Sequence, residues 1–319
     1  MSIKSGTTLC LFLLVLYSCT GNRRLPSSTG QPYEVVVESD EDSIVTRILT
    51  ADCPHLPQPE PFCNLIKVKK AQARGSFLLV RTRVVVDINR QNKGYQIKMI
   101  RNVNAQPQTV IRLQASSAQE LQKHLDGERL RCLIDSIELE HLASVVKQNA
   151  KKQKEIKQRF GLSIKVPASM QAEKKGKDFL WLSNNASTGM QSLLIFRVKT
   201  DSIRGNGQYA LLTKEINRVL QANMPGETDG MFMQLCGDAS VQGMWQMKGD
   251  DMGGPYVMKI ISLTGKQHIS DRGNKNVLVV MGFVYAPDMK KRNLIKQLEA
   301  IVEKADMAER AADDSSGKQ

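Results

Sequence analysis

The chain has little of what recognisable active sites are built from. It carries four histidines, His55, His124, His141 and His268, and none stands in an H-E-x-x-H arrangement. It has no G-x-S-x-G turn, no G-x-G-x-x-G and no phosphate-cradling P-loop, so the common serine-hydrolase and nucleotide-binding signatures are absent. Glu138 and Glu140 fall on different faces of a predicted helix and do not form an acid/base couple. The six cysteines show no zinc-ligand spacing. Beyond Leu9–Leu16 no apolar run approaches the roughly 20 residues that a bilayer-crossing helix needs. Catalytic residues, cofactor and metal are therefore all expected to be none, although an envelope hydrolase or glycan-acting enzyme without a sequence signature stays open as the alternative to a binding protein.

What is present starts at the beginning. Lys4 gives a positive region and LCLFLLVL an apolar segment of signal-peptide length. Leu16-Tyr17-Ser18-Cys19 then has the form of a lipobox and resembles bacterial lipoprotein precursors. The resemblance implies cleavage before Cys19, acylation of its thiol and usually of the new α-amine. Two or three fatty chains anchor stably where one does not. Thr20 is not the aspartate of inner-membrane retention, and Gly21-Asn22-Arg23-Arg24 lacks an acidic export run. The expected address is the periplasmic face of the outer membrane, with the bilayer as a partner through acylated Cys19.

Residues 1–18 thus read as a signal peptide and 19–32 as a polar tether. The rest, 41% apolar over the whole chain with 22 glycines and 11 prolines, fits a folded protein. The net charge of +13 suits anionic envelope glycans or an acidic envelope protein, and equally a plain solvated basic surface. Nucleic acid is not an expected partner, because no nucleic-acid motif is present. Cys53 and Cys63 flank a proline-rich loop and are the favoured disulfide pair of an oxidising compartment, while Cys132, among Leu130, Leu133 and Ile134, reads as a buried thiol.

Periodicity predicts an α+β fold, mainly antiparallel sheet in two similar halves, 33–161 and 162–306, each closed by helices on one side, with a disordered tail at 307–319. In the first half Tyr33–Glu38 is a strand. Ser39 or Asp40 caps a short helix, and strands at Asn64–Lys70, Arg83–Ile88, Tyr95–Arg101 and Gln108–Ala115 are linked by hairpin-like loops. Helix follows from Ser116 or Ser117, breaks near Asp126-Gly127 and stops at Gly161, with Leu130, Ile134, Ile137, His141 and Val145 on one stripe. Its last turns, KQNAKKQKEIKQR, are strongly basic. In the second half strands surround helices at Gln208–Asn223 and Asp288–Ala305.

Late methionines include Met224, Met231, Met233, Met244, Met247, Met252 and Met258. Thioethers bind Cu(I), yet strand alternation puts Met231 and Met233 on one face, and adaptable core packing is their ordinary role. Asp42-Ser43-Ile44, Asp135-Ser136-Ile137 and Asp201-Ser202-Ile203 resemble the short O-glycosylation sequon of Bacteroidetes periplasmic proteins.

Met244 to Val257 contains W-x-M-x-x-D-x-M-G-G-P. With LPSSTGQPYEVVV, LPQPEPFCNLIKV and GFVYAPDMKKRNLIKQLEAIV, this block resembles the uncharacterised lipoproteins of domain-of-unknown-function family 4837, over nearly the whole mature chain. The resemblance implies lipoprotein status and adds no catalytic residues. Physically the block reads as a hairpin. Gly249–Gly254 is its turn, Trp245 and Tyr256 are neighbours across it, and Asp250 and Asp251 fall short of a calcium loop. Trp245, Asp250, Asp251, Gly253, Gly254 and Tyr256 are candidate ligand-binding or structural hairpin residues. The expected function is that of a lipid-anchored periplasmic binding or scaffold protein.

Overall fold

The computed structural model describes residues 24–199, 208–262 and 276–308. The signal segment, Cys19, His268, the Asp201-Ser202-Ile203 sequon and the tail from residue 309 lie outside the described residues. The fold is α+β, with one five-stranded and one seven-stranded sheet.

The first sheet runs β2-β1-β3-β5-β4, from β1 (Glu34–Glu38), β2 (Asn64–Val68), β3 (Thr82–Ile88), β4 (Gln96–Arg101) and β5 (Thr109–Ala115). Here the structure departs from the hairpin reading. β1 pairs in parallel with β2 and β3, β3 pairs in parallel with β5, and only β4–β5 is antiparallel. The reason is burial on both faces, which parallel strands require. Val35 and Val37 face one core, whereas Val36 packs with Val68 and Val80 on the other side. A crossover with α1 (Ile44–Leu49) carries β1 to β2. Asp40 caps α1, accepting from the backbone N–H groups of Val45 and Thr46 at 3.2 and 2.7 Å.

Three helices then follow: α2 (Ala118–His124), α3 (Gly127–Val145) and α4 (Ala150–Phe160). Ser117 accepts from the Glu120 N–H, Asp126 from the Arg129 N–H, and Gly161 ends α4 in the left-handed region. The buried stripe of α3 runs through Leu130, Ile134, Glu138 and Leu142 rather than through Ile137, His141 and Val145. Cys132 is exposed, on the opposite face from that stripe, which corrects its reading as a core thiol.

The second sheet, order β10-β11-β12-β13-β9-β8-β7, is antiparallel throughout. Its strands are β7 (Ala172–Gly176), β8 (Phe179–Ser183), β9 (Met190–Lys199), β10 (Phe232–Cys236), β11 (Gln242–Lys248), β12 (Gly253–Ser262) and β13 (Asn276–Tyr285). A separate two-residue antiparallel pair joins β6 (Leu162–Ser163) to β14 (Asp306–Met307). Unlike the one-sided expectation, helices cover both faces. The α4 residues Ile156 and Phe160 and the α6 (Arg292–Glu303) residues Ile295, Leu298 and Ile301 fill one core. Those of α5 (Gln208–Asn223), Leu212, Ile216 and Leu220, fill the other. Strands β9 and β13 are apolar at consecutive positions, Leu193–Phe196 and Val277–Met281, and both of their faces must leave water.

Helix α6 joins the two sheets. Its first N–H groups, of Lys291 and Arg292, donate to the Glu60 carboxylate at 2.6 and 3.2 Å, so a cap comes from the distant proline-rich loop. Lys296 pairs with Asp135 of α3 at 2.8 Å and with Glu299 at 2.9 Å. Asp135 also accepts the Tyr33 hydroxyl.

Candidate functional site

Residues 242–257 do form the expected hairpin, with Gly249 at a positive φ of 87° in its turn. The register corrects one detail. Trp245 stands opposite Gly254, and Tyr256 opposite Gly243, so the two aromatics are not a cross-strand pair. Each ring instead occupies the space over a glycine. A Cβ on Gly254 would lie 2.1 Å from the Val284 carbonyl oxygen, and one on Gly243 2.8 Å from the Tyr256 ring. The bare Gly254 lets the Trp245 indole reach across and donate to Val284 O at 3.1 Å. Trp245 then packs edge-on against Phe283, with centroids 5.1 Å apart. Gly253 pairs with Gln246 beside this crossing. Asp250 and Asp251 are exposed at the turn tip.

The same register aligns four methionines. Met233 pairs with Met247 across β10 and β11. The Met247 N–H donates to Met252 O at 2.7 Å, and the Met233 N–H to Met224 O at 3.0 Å. Directly opposed residues share a face of a sheet, so Met224, Met233, Met247 and Met252 form a row running across the strands. With Met190, Trp181, Trp245 and Phe283 they line a cavity of about 170 Å³, and Lys174 and Asn223 stand at its rim. Among the described residues the Trp181 Nε1–H is buried without a hydrogen-bond partner, in contrast to the satisfied Trp245. Lys174 is the cross-strand partner of Trp181, which puts both on one face.

Reading the sequence found Trp245 and the methionines but missed Trp181, Lys174, Met190 and Asn223. The alternating F-L-W-L of β8 marks Trp181 as inward- or outward-facing. It does not tell which strands will bring it to the hairpin.

A larger groove, about 560 Å³, lies between β12 and α6, lined by Val257, Ile260 and Val302 with Glu299 and Glu303 at one side. Burial raises the carboxyl pKa of both acids, partly offset by Lys296. Its lining stops at Tyr209 and Ile260, next to residues 200–207 and 263–275, which are outside the described set. The methionine–tryptophan cavity is bounded by described residues and is the better-defined site.

A third polar cluster is structural. Glu138, fully buried, accepts from the Tyr33 N–H, the Thr82 hydroxyl and the Arg81 guanidinium at 2.6–3.3 Å. Arg81 also meets His141 Nε2 at 3.1 Å, and burial together with that guanidinium lowers the imidazole pKa. Cys53 and Cys63 are both buried free thiols, which corrects the expected bridge. The pairing of Asp52 with Pro61 places Glu60, not Cys63, opposite Cys53. Burial raises both thiol pKa values. Among the described residues no three His, Cys, Asp or Glu side chains form a group able to hold a metal ion.

Residues 149–304 match the family model described as Domain of unknown function (DUF4837), and residues 28–156 match a second, described as Domain of unknown function (DUF8532). Two of the stretches that suggested the first family, LPSSTGQPYEVVV and LPQPEPFCNLIKV, fall mainly or wholly in the range of the second. No curated protein and no solved structure matches the chain.

Proposed function

We propose, on the premise that residues 149–304 form a DUF4837 domain, that this protein is a lipid-anchored binding protein of the bacterial envelope and that the cavity under Trp245 is its ligand site. The observation that carries the reading is a half-open pocket lined by both tryptophans, one of which, Trp181, keeps its Nε1–H buried without a hydrogen-bond partner among the described residues. A cavity of about 150 Å³ lined by apolar side chains accepts benzene. The 170 Å³ here therefore suits a single ring or a short acyl group. Flexible thioethers adapt to such a guest and contact ring edges favourably. An unpartnered N–H calls for an acceptor on the guest, and the Lys174 ammonium, which spends one of its three donors on Asn223 O at 2.7 Å, favours an anionic one. Acylation of Cys19 holds the body at the periplasmic face of the outer membrane, in keeping with the lipobox.

Both tryptophans of the chain line the cavity, so intrinsic fluorescence reports on it directly. Titration with benzoate and with toluene is the test. Benzoate is expected to shift the emission at roughly tenfold lower concentration than toluene, the worth of one charge-assisted hydrogen bond. In Trp181→Phe that preference disappears while toluene still shifts the remaining Trp245 emission. No shift with either ligand up to solubility would sink the site. The anchor is tested separately, by whether Cys19→Ser releases the protein from envelope fractions.

A further inference from the structure

Strand β4 is the outer edge of the first sheet, and all six of its residues are exposed. Ile97 (41%), Met99 (46%) and Ile100 (42%) are among the most exposed large apolar side chains described. The ladder phase is fixed by the Asn102 N–H donating to Gln108 O at 2.8 Å, in register with the β4–β5 pairing. Antiparallel hydrogen bonding alternates along a strand. The even-numbered residues therefore bond to β5, and the backbone groups of Ile97, Met99 and Arg101 point away from it. Among the described residues no strand pairs with that side.

The two faces of this edge differ. Ile97 and Met99 pair with Leu113 and Ile111, both fully buried, and extend the core layer sideways. On the other face Lys98 stands directly opposite Arg112. Like charges so placed cost stability. From Ile88 to Ala115 the chain holds Arg90, Lys93, Lys98, Arg101 and Arg112 and no Asp or Glu. Among the described residues no side chain of the five has an ion-pair or hydrogen-bonding partner.

We infer that the β4 edge receives an extended acidic segment of another protein as a sixth strand. Main-chain bonds go to Ile97, Met99 and Arg101. Apolar side chains of the guest lie beside Ile97 and Met99, and alternating carboxylates meet Lys98 and Arg112. This is strand addition, in which backbone pairing gives affinity and alternate side chains give specificity. A second copy of this chain is disfavoured, because it would bring the same five unpaired cations against each other. Lysine on an edge strand has this protective effect generally.

The test uses the folded mature chain and a labelled peptide of about seven residues alternating Glu and Val, a typical strand length. Binding by anisotropy, weakening as salt rises, with slowed hydrogen exchange at the Ile97, Met99 and Arg101 amides, is the expected result. Met99→Pro deletes one outward N–H without touching a β5 bond. It is expected to weaken binding by roughly tenfold or more. A Lys98→Glu/Arg112→Glu variant, which leaves the backbone alone and reverses the charged face, is expected to switch preference to a Lys-Val peptide. Three results would overturn the inference. One is no binding of the Glu-Val peptide. Another is binding, or adsorption to phosphatidylglycerol vesicles, that both variants leave unchanged. The third is concentration-dependent self-association through this edge.

Discussion

The two sheets of this protein meet water differently. The seven-stranded sheet has helices on both faces, and β12 and β13 sit deep among antiparallel neighbours. Where its hairpin meets β8, a row of methionines borders a small pocket. The five-stranded sheet is mostly parallel and fully covered at its centre, yet it ends in a strand exposed on every residue. The difference suggests a division of labour. A small guest suits the closed sheet, where an unsatisfied donor and adaptable side chains surround a space. An extended partner suits the open one, where backbone groups, apolar side chains and unpaired cations lie along a line. Helix α6 ties the two together through Glu60 and Lys296, so each region is physically coupled to the other.

The sharpest way to break the comparison is to unfold one sheet without the other. Glu138→Ala strands the buried Arg81 guanidinium and the Tyr33 and Thr82 donors. Removing one partner of a buried pair costs about 3–5 kcal/mol. Both tryptophans lie in the second sheet, so they report on it alone. Urea unfolding followed by tryptophan emission and by far-ultraviolet circular dichroism is expected to give coincident transitions in the native protein. In the variant the dichroism change comes first. Coincident transitions in Glu138→Ala would mean that the two regions are one cooperative unit.

The reverse perturbation is Gly254→Ala. Its Cβ would meet the Val284 carbonyl that accepts the Trp245 N–H. Overpacking of this kind costs about 1–3 kcal/mol. The expected signature is a shifted tryptophan emission and a lower unfolding midpoint, with Glu-Val peptide binding at β4 unchanged. Loss of that binding would show that the two sheets are not independent as binding surfaces.

Much of this architecture was legible before the structure. The α5 boundaries follow from its apolar period and the Met224-Pro225-Gly226 stop. Asp40, Ser117 and Gly161 announce helix ends by residue type, and Gly249 announces a turn. Strand partners were not legible. Alternation reveals which residues share a face, never which strand lies alongside, and so β1, β2, β3 and β5 looked like hairpins. Glu138 interrupts the apolar period of α3. Only its three distant donors, on Tyr33, Arg81 and Thr82, explain how a carboxylate occupies a core position. The cavity was hidden for the same reason, since Trp181 and Met247 meet only through the order of the intervening strands.

A smaller effect probes the joint itself. Glu60→Ala removes a carboxylate cap from α6, and lost caps cost about 1 kcal/mol. Because the cap comes from the first region and the helix packs on the second, both optical signals are expected to move together. A change in the dichroism midpoint alone would place α6 with one sheet.

The smallest expected effect is a slope with pH. Burial alone would lower the Lys296 pKa, but the Glu299 and Asp135 carboxylates outweigh it and raise it above the ordinary lysine value. A group whose folded pKa is raised stabilises fully below its unfolded pKa, and the contribution fades as pH climbs through the folded one. Tyr33 has the same sign, because burial and Asp135 push its hydroxyl pKa up. Native stability should therefore fall between about pH 10 and 12, where free lysine and tyrosine lose their protons. In Lys296→Met the fall is expected to be shallower without vanishing, since Tyr33 still contributes. An identical slope in the variant would mean that Lys296 titrates alike folded and unfolded, and that the ion pair at the joint adds no linkage between the two sheets.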